Sequence, residues 1–178
     1  MQQSSNPGVK WGFISGIVLI LLNVVAWKAG NDVLFSMWNN LTQLLLFIIL
    51  GALAGRELKK SYGGYIGFKA VLKPVFTTFV IGWLLSAIFQ FVLYKYLEPG
   101  LPEALKAYTL ANTEHFMRWG KAPQDEITKQ IDSIKTTDFS VNFTKSFLLY
   151  LKHIIFFFGV AVVVSLILRK KAPDQQHS

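Results

Sequence analysis

The chain has 178 residues, of which 52% are hydrophobic and only 16% charged, and its formal net charge is +8. The length leaves room for one domain. An average soluble domain has about 25% charged residues, so the low charged fraction indicates long apolar segments. The absence of cysteine excludes disulfide bonds, thiolate nucleophiles and cysteine metal sites. A basic chain can bind nucleic acid, but beside long apolar segments excess Lys and Arg indicates membrane topology and contact with membrane lipids. No nucleic acid partner is therefore expected.

Four apolar segments are each close to the ~20 residues that an α-helix needs to cross the hydrocarbon core of a membrane. We predict helices, because a lone strand would leave its backbone groups unpaired in lipid. The first segment is longer than the apolar part of a signal peptide and no A-x-A-like site follows it, so we expect it to be kept. The predicted spans cover about residues 11–27, 34–55, 75–97 and 147–168.

The distribution of basic residues predicts the orientation of these spans. The link between the second and third spans carries five basic residues against one acidic residue, Glu57, and the tail begins with Arg169, Lys170 and Lys171. The segment 98–145 has six basic and seven acidic residues, so it is nearly neutral. Because loops rich in Lys and Arg stay in the cytoplasm, we predict both termini inside and the segment 98–145 outside.

The segment 98–145 is predicted to contain two short amphipathic helices. Pro99 and Pro102 end the third span, since neither can continue its backbone hydrogen bonds. A helix then follows from Glu103 to about Trp119. Its apolar stripe consists of Leu105, Tyr108, Phe116 and Trp119.

The second amphipathic helix begins near Pro123 and places Ile127, Ile131 and Ile134 on one face. An isoleucine stripe that faces water would be unusual, so we expect it to pack on the outer ends of the spanning helices or on interfacial lipid. We therefore expect the two helices to lie over the outer end of the bundle as a cap, with Phe116 or Trp119 against it.

Polar residues within the spans gather in their predicted outer halves. Such residues usually face the bundle or water, because a polar group in hydrocarbon is costly. One interpretation is an outward-opening polar cavity beneath the cap. The other, which we favour, is that Lys95 and Lys152 reach toward the interface while the amides hold helices together. The candidate cavity residues are Asn23, Gln43, Gln90, Lys152 and His153.

Two pairs of glycines are spaced four residues apart within the spans, in "GFISG" and "GALAG". Such spacing lets two helix backbones approach closely in lipid. We predict that Gly12, Gly16, Gly51 and Gly55 form helix contacts, either within the chain or between copies in a homo-oligomer.

No motif in the sequence indicates catalysis or a cofactor. There is no glycine-rich phosphate loop, no G-x-S-x-G, no H-E-x-x-H and no carboxylate pair within a span. His115 follows Glu114, but three histidines in the whole chain are few for a metal site of three or four ligands. We therefore expect no metal, no cofactor and no enzyme activity.

Three stretches resemble the bacterial family named Domain of Unknown Function 4199. These stretches are "GFISGIVLIL" in the first span, "SYGGYIGFKAVLK" in the basic link and "FVLYKYLEPGL" at the end of the third span. The resemblance extends over nearly the whole chain and implies a small inner-membrane protein with four helices. The family carries no assigned activity, so the resemblance implies no functional residues.

Two functional interpretations follow from these features. The first is an uncharacterised, non-catalytic accessory protein of the cell envelope that binds a protein partner through its outer helical segment. The alternative is a small transporter or channel subunit that uses the outward-facing polar cavity. The alternative requires an oligomer for most transport schemes, because four helices enclose little space.

Overall fold

The computed structural model describes residues 6–170, which form helices with no strand among them. The last turn of α4 continues as a wider π-helical turn over Leu93–Leu97. The predicted all-α fold, with four candidate membrane-spanning helices and two short amphipathic helices, is confirmed. The helices are α1 (Pro7–Ala29), α2 (Asn31–Leu34), α3 (Met37–Ser61), α4 (Phe68–Val92), α5 (Leu101–Trp119), α6 (Gln124–Thr136) and α7 (Phe143–Leu168).

The four long apolar helices are α1, α3, α4 with its π-turn, and α7. The second span does not begin at Leu34 as predicted, because Leu34 ends the separate short helix α2. Helix α3 begins at Met37 instead, where the Ser36 side chain accepts a hydrogen bond from Asn39 N at 3.1 Å. The third span begins at Phe68, seven residues before the predicted start, and tolerates Pro74 inside the helix.

Helix α4 lies at the centre of the bundle and packs against α1, α3 and α7. The middle of the bundle is filled by an aromatic layer, defined here as Phe47, Phe79 and Phe157. The Phe47 ring lies 4.9 Å from each of the other two ring centroids, and all three side chains are almost fully buried. Such close ring contacts add to the packing of large apolar side chains.

The four glycines of the two predicted motifs lie in contacts within the chain. A Cβ at Gly12 would lie 2.7 Å from Ile81 Cβ, and a Cβ at Gly16 would lie 2.8 Å from Leu85 Cβ. These distances are too short for any side chain, so α1 and α4 approach each other closely here. On α3, a Cβ at Gly51 would lie 2.6 Å from Phe79 Cζ, and one at Gly55 would lie 2.8 Å from Leu168 Cδ1.

The end of the bundle where α3 joins α4 is called the basic end here. Lys10 Nζ lies 2.7 Å from both carboxylate oxygens of Glu57, and Trp11 Nε1 donates to Glu57 Oε2 at 2.7 Å. These contacts join α1 to α3. Lys59 Nζ donates to Leu168 O at 2.8 Å, which joins α3 to the end of α7.

A short antiparallel bridge adds to the connections at the basic end. Ile66 N donates to Lys170 O at 2.8 Å, and Lys170 N donates to Ile66 O at 3.0 Å. The bridge ties the α3–α4 loop to the residues that follow α7. Asn6 Nδ2, at the cap of α1, donates to Thr77 Oγ1 of α4 at 3.3 Å. All four long helices therefore take part in polar contacts at this end.

The opposite end, called the hairpin end here, carries α5 and α6 as a helical hairpin. Leu101 is buried at the start of α5 in a cluster with Ala26, Leu34, Phe35 and Leu93. The Tyr108 ring packs on Phe35 with 5.6 Å between ring centroids. The first half of α5 is thus anchored on the ends of α1, α2 and α4.

Two expectations for the outer helices were wrong. Phe116 and Trp119 do not pack on the bundle, since they are 69% and 77% exposed. A helix of 19 residues is about 28 Å long, so α5 extends beyond the cluster that anchors its first half. The isoleucine stripe does not cover the helix ends either, because α6 packs against α5, and Ile127 and Ile134 are buried there.

Candidate functional site

A cleft of about 390 Å³ lies between α4 and α7 at the hairpin end. Residues 139–141, which precede α7, and Leu105 of α5 form its outer wall. It is called the cleft below. The lining residues are Asn40, Trp83, Ala87, Gln90, Phe91, Tyr94, Leu105, Phe139, Ser140, Val141, Lys145, Ser146, Leu149, Tyr150 and His153.

The π-turn at the end of α4 contributes Tyr94 to the cleft. Glu98 N donates to Leu93 O at 2.8 Å, which is the spacing of a π-helix. The wider turn buries Leu93 in the anchoring cluster and leaves Tyr94 half-buried beside the cleft. Tyr94 was not predicted as a site residue, because a tyrosine at a predicted membrane boundary is typical of an interfacial residue.

His153 of α7 and Gln90 of α4 both line the cleft. His153 Nδ1 donates to Leu149 O at 2.8 Å, because a carbonyl oxygen can only accept. In the neutral imidazole Nε2 is then an acceptor. The imidazole packs on the Trp83 ring with 4.8 Å between centroids. Gln90 is half-buried, and its amide makes no hydrogen bond to another residue within 6–170. Both side chains can therefore offer hydrogen bonds to a bound molecule.

Lys145 holds the wall of the cleft in place. Its ammonium forms an ion pair with Asp138 and donates to Ser140 Oγ at 3.0 Å. Hydrogen bonds from Lys145 and then from Ser140 lower the pKa of the Asp138 carboxyl well below its usual range. Asn142 caps α7 by accepting from Lys145 N at 2.8 Å, so the loop and the helix start are fixed together.

The five candidate cavity residues do not form one cavity. Gln90 and His153 line the cleft, whereas Lys152 is exposed and does not line it. Neighbouring residues of a helix point about 100° apart, which explains how Lys152 and His153 are separated. Asn23 and Gln43 also lie outside the lining.

Asn23 and Gln43 belong to a chain of amide hydrogen bonds between α1 and α3. Asn23 Nδ2 donates to Gln43 Oε1 at 2.9 Å, and Gln43 Nε2 donates to Asn39 Oδ1 at 3.2 Å. Asn39 Nδ2 then donates to Leu34 O at 3.0 Å. These contacts are what the second interpretation of the polar residues predicts, in which amides hold helices together.

An apolar groove of about 220 Å³ continues from the cleft along α4 and α7. It is called the groove below. The two sites share four lining residues, so they form one continuous surface. The residues that line the groove are Leu84, Ala87, Ile88, Phe91, Phe143, Ser146, Phe147 and Tyr150.

The protein family of unknown function DUF4199 has a family model that matches residues 10–170. The chain belongs to the DUF4199 family. The match covers nearly all of the described residues of this DUF4199 protein, including the cleft, the groove and the hairpin, and it confirms the resemblance seen in the sequence. Comparisons with curated proteins and with solved structures find no match. The function of this DUF4199 protein is therefore argued from its geometry.

Proposed function

We propose that this DUF4199 chain is a non-catalytic accessory protein of the bacterial inner membrane. Both termini face the cytoplasm, and the α5–α6 hairpin binds a protein partner on the other side. The observation that carries this proposal is the exposure of two large aromatic side chains, Phe116 and Trp119, at the far end of an anchored hairpin.

The hairpin tip, defined as residues 116–121, is presented by a supported scaffold. Ile127 and Ile134 pack α6 on α5, while Leu101 and Tyr108 fasten α5 to the bundle. Large aromatic residues with few rotatable bonds are typical anchors of protein interfaces. A supported aromatic pair also loses little conformational freedom when it binds.

The chemistry of the tip indicates the kind of partner surface that it fits. The Phe116 and Trp119 rings lie 6.2 Å apart, and Arg118 and Lys121 lie within two residues of Trp119 in the sequence. Arg118 forms an exposed ion pair with Glu114 at 2.8 Å, which leaves Lys121 as a second cation near the rings. The complementary surface is an apolar pocket with an acidic rim.

The aromatic layer argues against the transporter alternative. His153 lines the cleft, and Phe157, one turn further along α7, belongs to the layer that fills the middle of the bundle. Close ring contacts with Phe47 and Phe79 fill this layer with buried hydrocarbon. The cleft is therefore better suited to holding a molecule than to passing one through the bundle.

The orientation can be tested with single cysteines, because the natural chain has none. Ser61 and Ser133 are both exposed, on the α3–α4 side and on α6. We expect Ser133→Cys to react with an impermeant maleimide in intact spheroplasts, and Ser61→Cys to react only after lysis. The opposite pattern would place the hairpin in the cytoplasm and overturn the proposed orientation.

The partner can be tested by replacing Phe116 with a photo-cross-linking amino acid in the full-length protein in cells. We expect a discrete protein adduct that disappears when Trp119→Ser is added. The same cross-linker at Gln130, which is exposed on α6 away from the tip, is the matched control. Adducts with lipid alone would show that the tip is a membrane anchor, and equal adducts from Phe116 and Gln130 would show no specific interface.

A further inference from the structure

We propose that the cleft and the groove together form a binding site for one phospholipid molecule. The phosphate of the lipid lies in the cleft near Lys145, and one acyl chain lies in the groove. The site is independent of the protein partner proposed for the hairpin tip, because it lies between α4 and α7 and shares no residue with the tip.

The surface changes from polar in the cleft to apolar in the groove. The cleft contains Lys145, Gln90 and His153, all of them able to hydrogen-bond. The groove is formed almost entirely by hydrocarbon side chains, and Ser146 and Tyr150 lie where the two meet. A molecule that fills both must have a polar head joined to an apolar chain.

The helices that carry the site are themselves suited to a membrane. Both α4 and α7 are long and apolar enough to cross a membrane, and Leu84, Ile88 and Phe147 of the groove are exposed on their surfaces. In a membrane, an apolar groove on such a surface faces acyl chains. The occupant of the groove is therefore a lipid chain rather than a soluble apolar ligand.

The charged groups at the cleft can also accept a phosphate. Within residues 6–170, Lys145 is the one lysine or arginine that lines the cleft, and the acidic group nearest to it, the Asp138 carboxylate, pairs with it from outside the lining. Its ammonium already contacts Asp138 and Ser140 Oγ, but its contacts with Ser140 O and Asp138 O are long, at 3.3 and 3.5 Å. A phosphate oxygen can replace these two weak contacts without breaking the ion pair. Ser146 lies one residue further along α7 and can donate to the same phosphate.

The test uses the full-length protein, purified in detergent and freed of lipid, and measures binding of dioleoyl phosphatidylglycerol by native mass spectrometry. We expect one tightly held lipid per chain. Lys145→Met should weaken binding about fivefold, as expected for one lysine near a lipid phosphate. Lys152→Met is the matched control on the same helix, since Lys152 is exposed outside the cleft, and should bind as the natural protein does.

A second variant blocks the junction between the two parts. Ala87 lines both the cleft and the groove, so Ala87→Phe should abolish binding while the thermal unfolding of the lipid-free protein stays cooperative. If that variant fails to fold, Ser146→Phe blocks the same junction from α7. Equal binding by all variants would overturn the proposal.

Two further probes separate the parts of the ligand. Dioleoylglycerol has the chains without the phosphate, and we expect it to bind about fivefold more weakly, matching the loss in Lys145→Met. Glycerol 3-phosphate has the phosphate without chains, and we expect it not to displace the lipid at equal concentration. Equal binding of dioleoylglycerol and the phospholipid would show that Lys145 does not bind a phosphate and would overturn that part of the proposal. Displacement of the lipid by glycerol 3-phosphate would identify a site for free phosphate esters instead.

Discussion

The two ends of the bundle are built in different ways. At the basic end, Glu57 joins α3 to α1, Lys59 joins α3 to α7, and Ile66 ties the α3–α4 loop to the residues after α7. At the hairpin end, α4 and α7 have the cleft between them, and α5 leads away to an exposed aromatic tip. The comparison teaches that one end joins the helices through polar contacts, while the other carries surfaces that remain accessible.

The largest expected effect comes from the aromatic layer that separates the two ends. Phe157 is 2% exposed, and truncating such a side chain removes packing and leaves a cavity. We expect Phe157→Ala to lower the free energy of unfolding by about 3 kcal/mol, measured by denaturation in detergent. The neighbouring Phe156 is 54% exposed, so Phe156→Ala should have little effect. Similar losses from both variants would contradict the role given to the layer.

The next effect concerns the close contact of α1 with α4, which runs between the two ends. A Cβ at Gly82 would overlap Ser15 Oγ and lie 2.7 Å from Phe47 Cε2. We expect Gly82→Ala to destabilise the protein by about 1–3 kcal/mol through overpacking. A Cβ at Gly159 on α7 would meet no atom within 4 Å, so Gly159→Ala should be neutral or slightly stabilising. Thermal unfolding of the two alanine variants in the same detergent checks this difference.

A smaller effect is expected at the basic end itself. The Lys10–Glu57 ion pair is about half exposed, and such pairs contribute less than about 1 kcal/mol. Glu57→Gln should therefore lower stability only slightly and reduce its dependence on salt concentration. Glu114→Gln, which breaks the exposed Arg118 pair on the hairpin, is the control and should leave the unfolding of the bundle unchanged. A large loss in Glu57→Gln would mean that this contact is essential for folding.

The smallest effect is local and lies at the hairpin end. Because the pKa of Asp138 is lowered in the folded protein, its contribution is fully present above the usual pKa of 3.8 and is lost only as the pH falls further, through the folded-state value. The loop at 139–141 should therefore keep its hydrogen-exchange protection between pH 7 and pH 5. Asp138→Asn should increase exchange there at pH 7, whereas Asp132→Asn, which breaks an exposed pair on α6, should not. Unchanged exchange in Asp138→Asn would show that the Asp138–Lys145 ion pair does not hold the loop at 139–141 in place.

The sequence by itself determined the all-α fold class and the number of long apolar helices. Hydropathy and helical periodicity are local properties of a chain, so they predict the four apolar segments, the two amphipathic helices bounded by proline and the glycine pairs. Helix boundaries were less accurate. The third span extends back to Phe68, since tertiary contacts accommodate Pro74 where local rules favour a helix end.

Only the tertiary structure decided which polar residues meet. Gln90 and His153 were singled out from their depth in the spans, but depth could not separate them from Asn23 and Gln43, which bond to each other between different helices. The π-turn that brings Tyr94 to the cleft also places Leu93 in a buried cluster with Leu34 and Leu101, which is a contact between α2, α5 and the end of α4. A site between helices depends on the rotation of each helix about its axis, and that rotation is set by packing against neighbours rather than by any one segment.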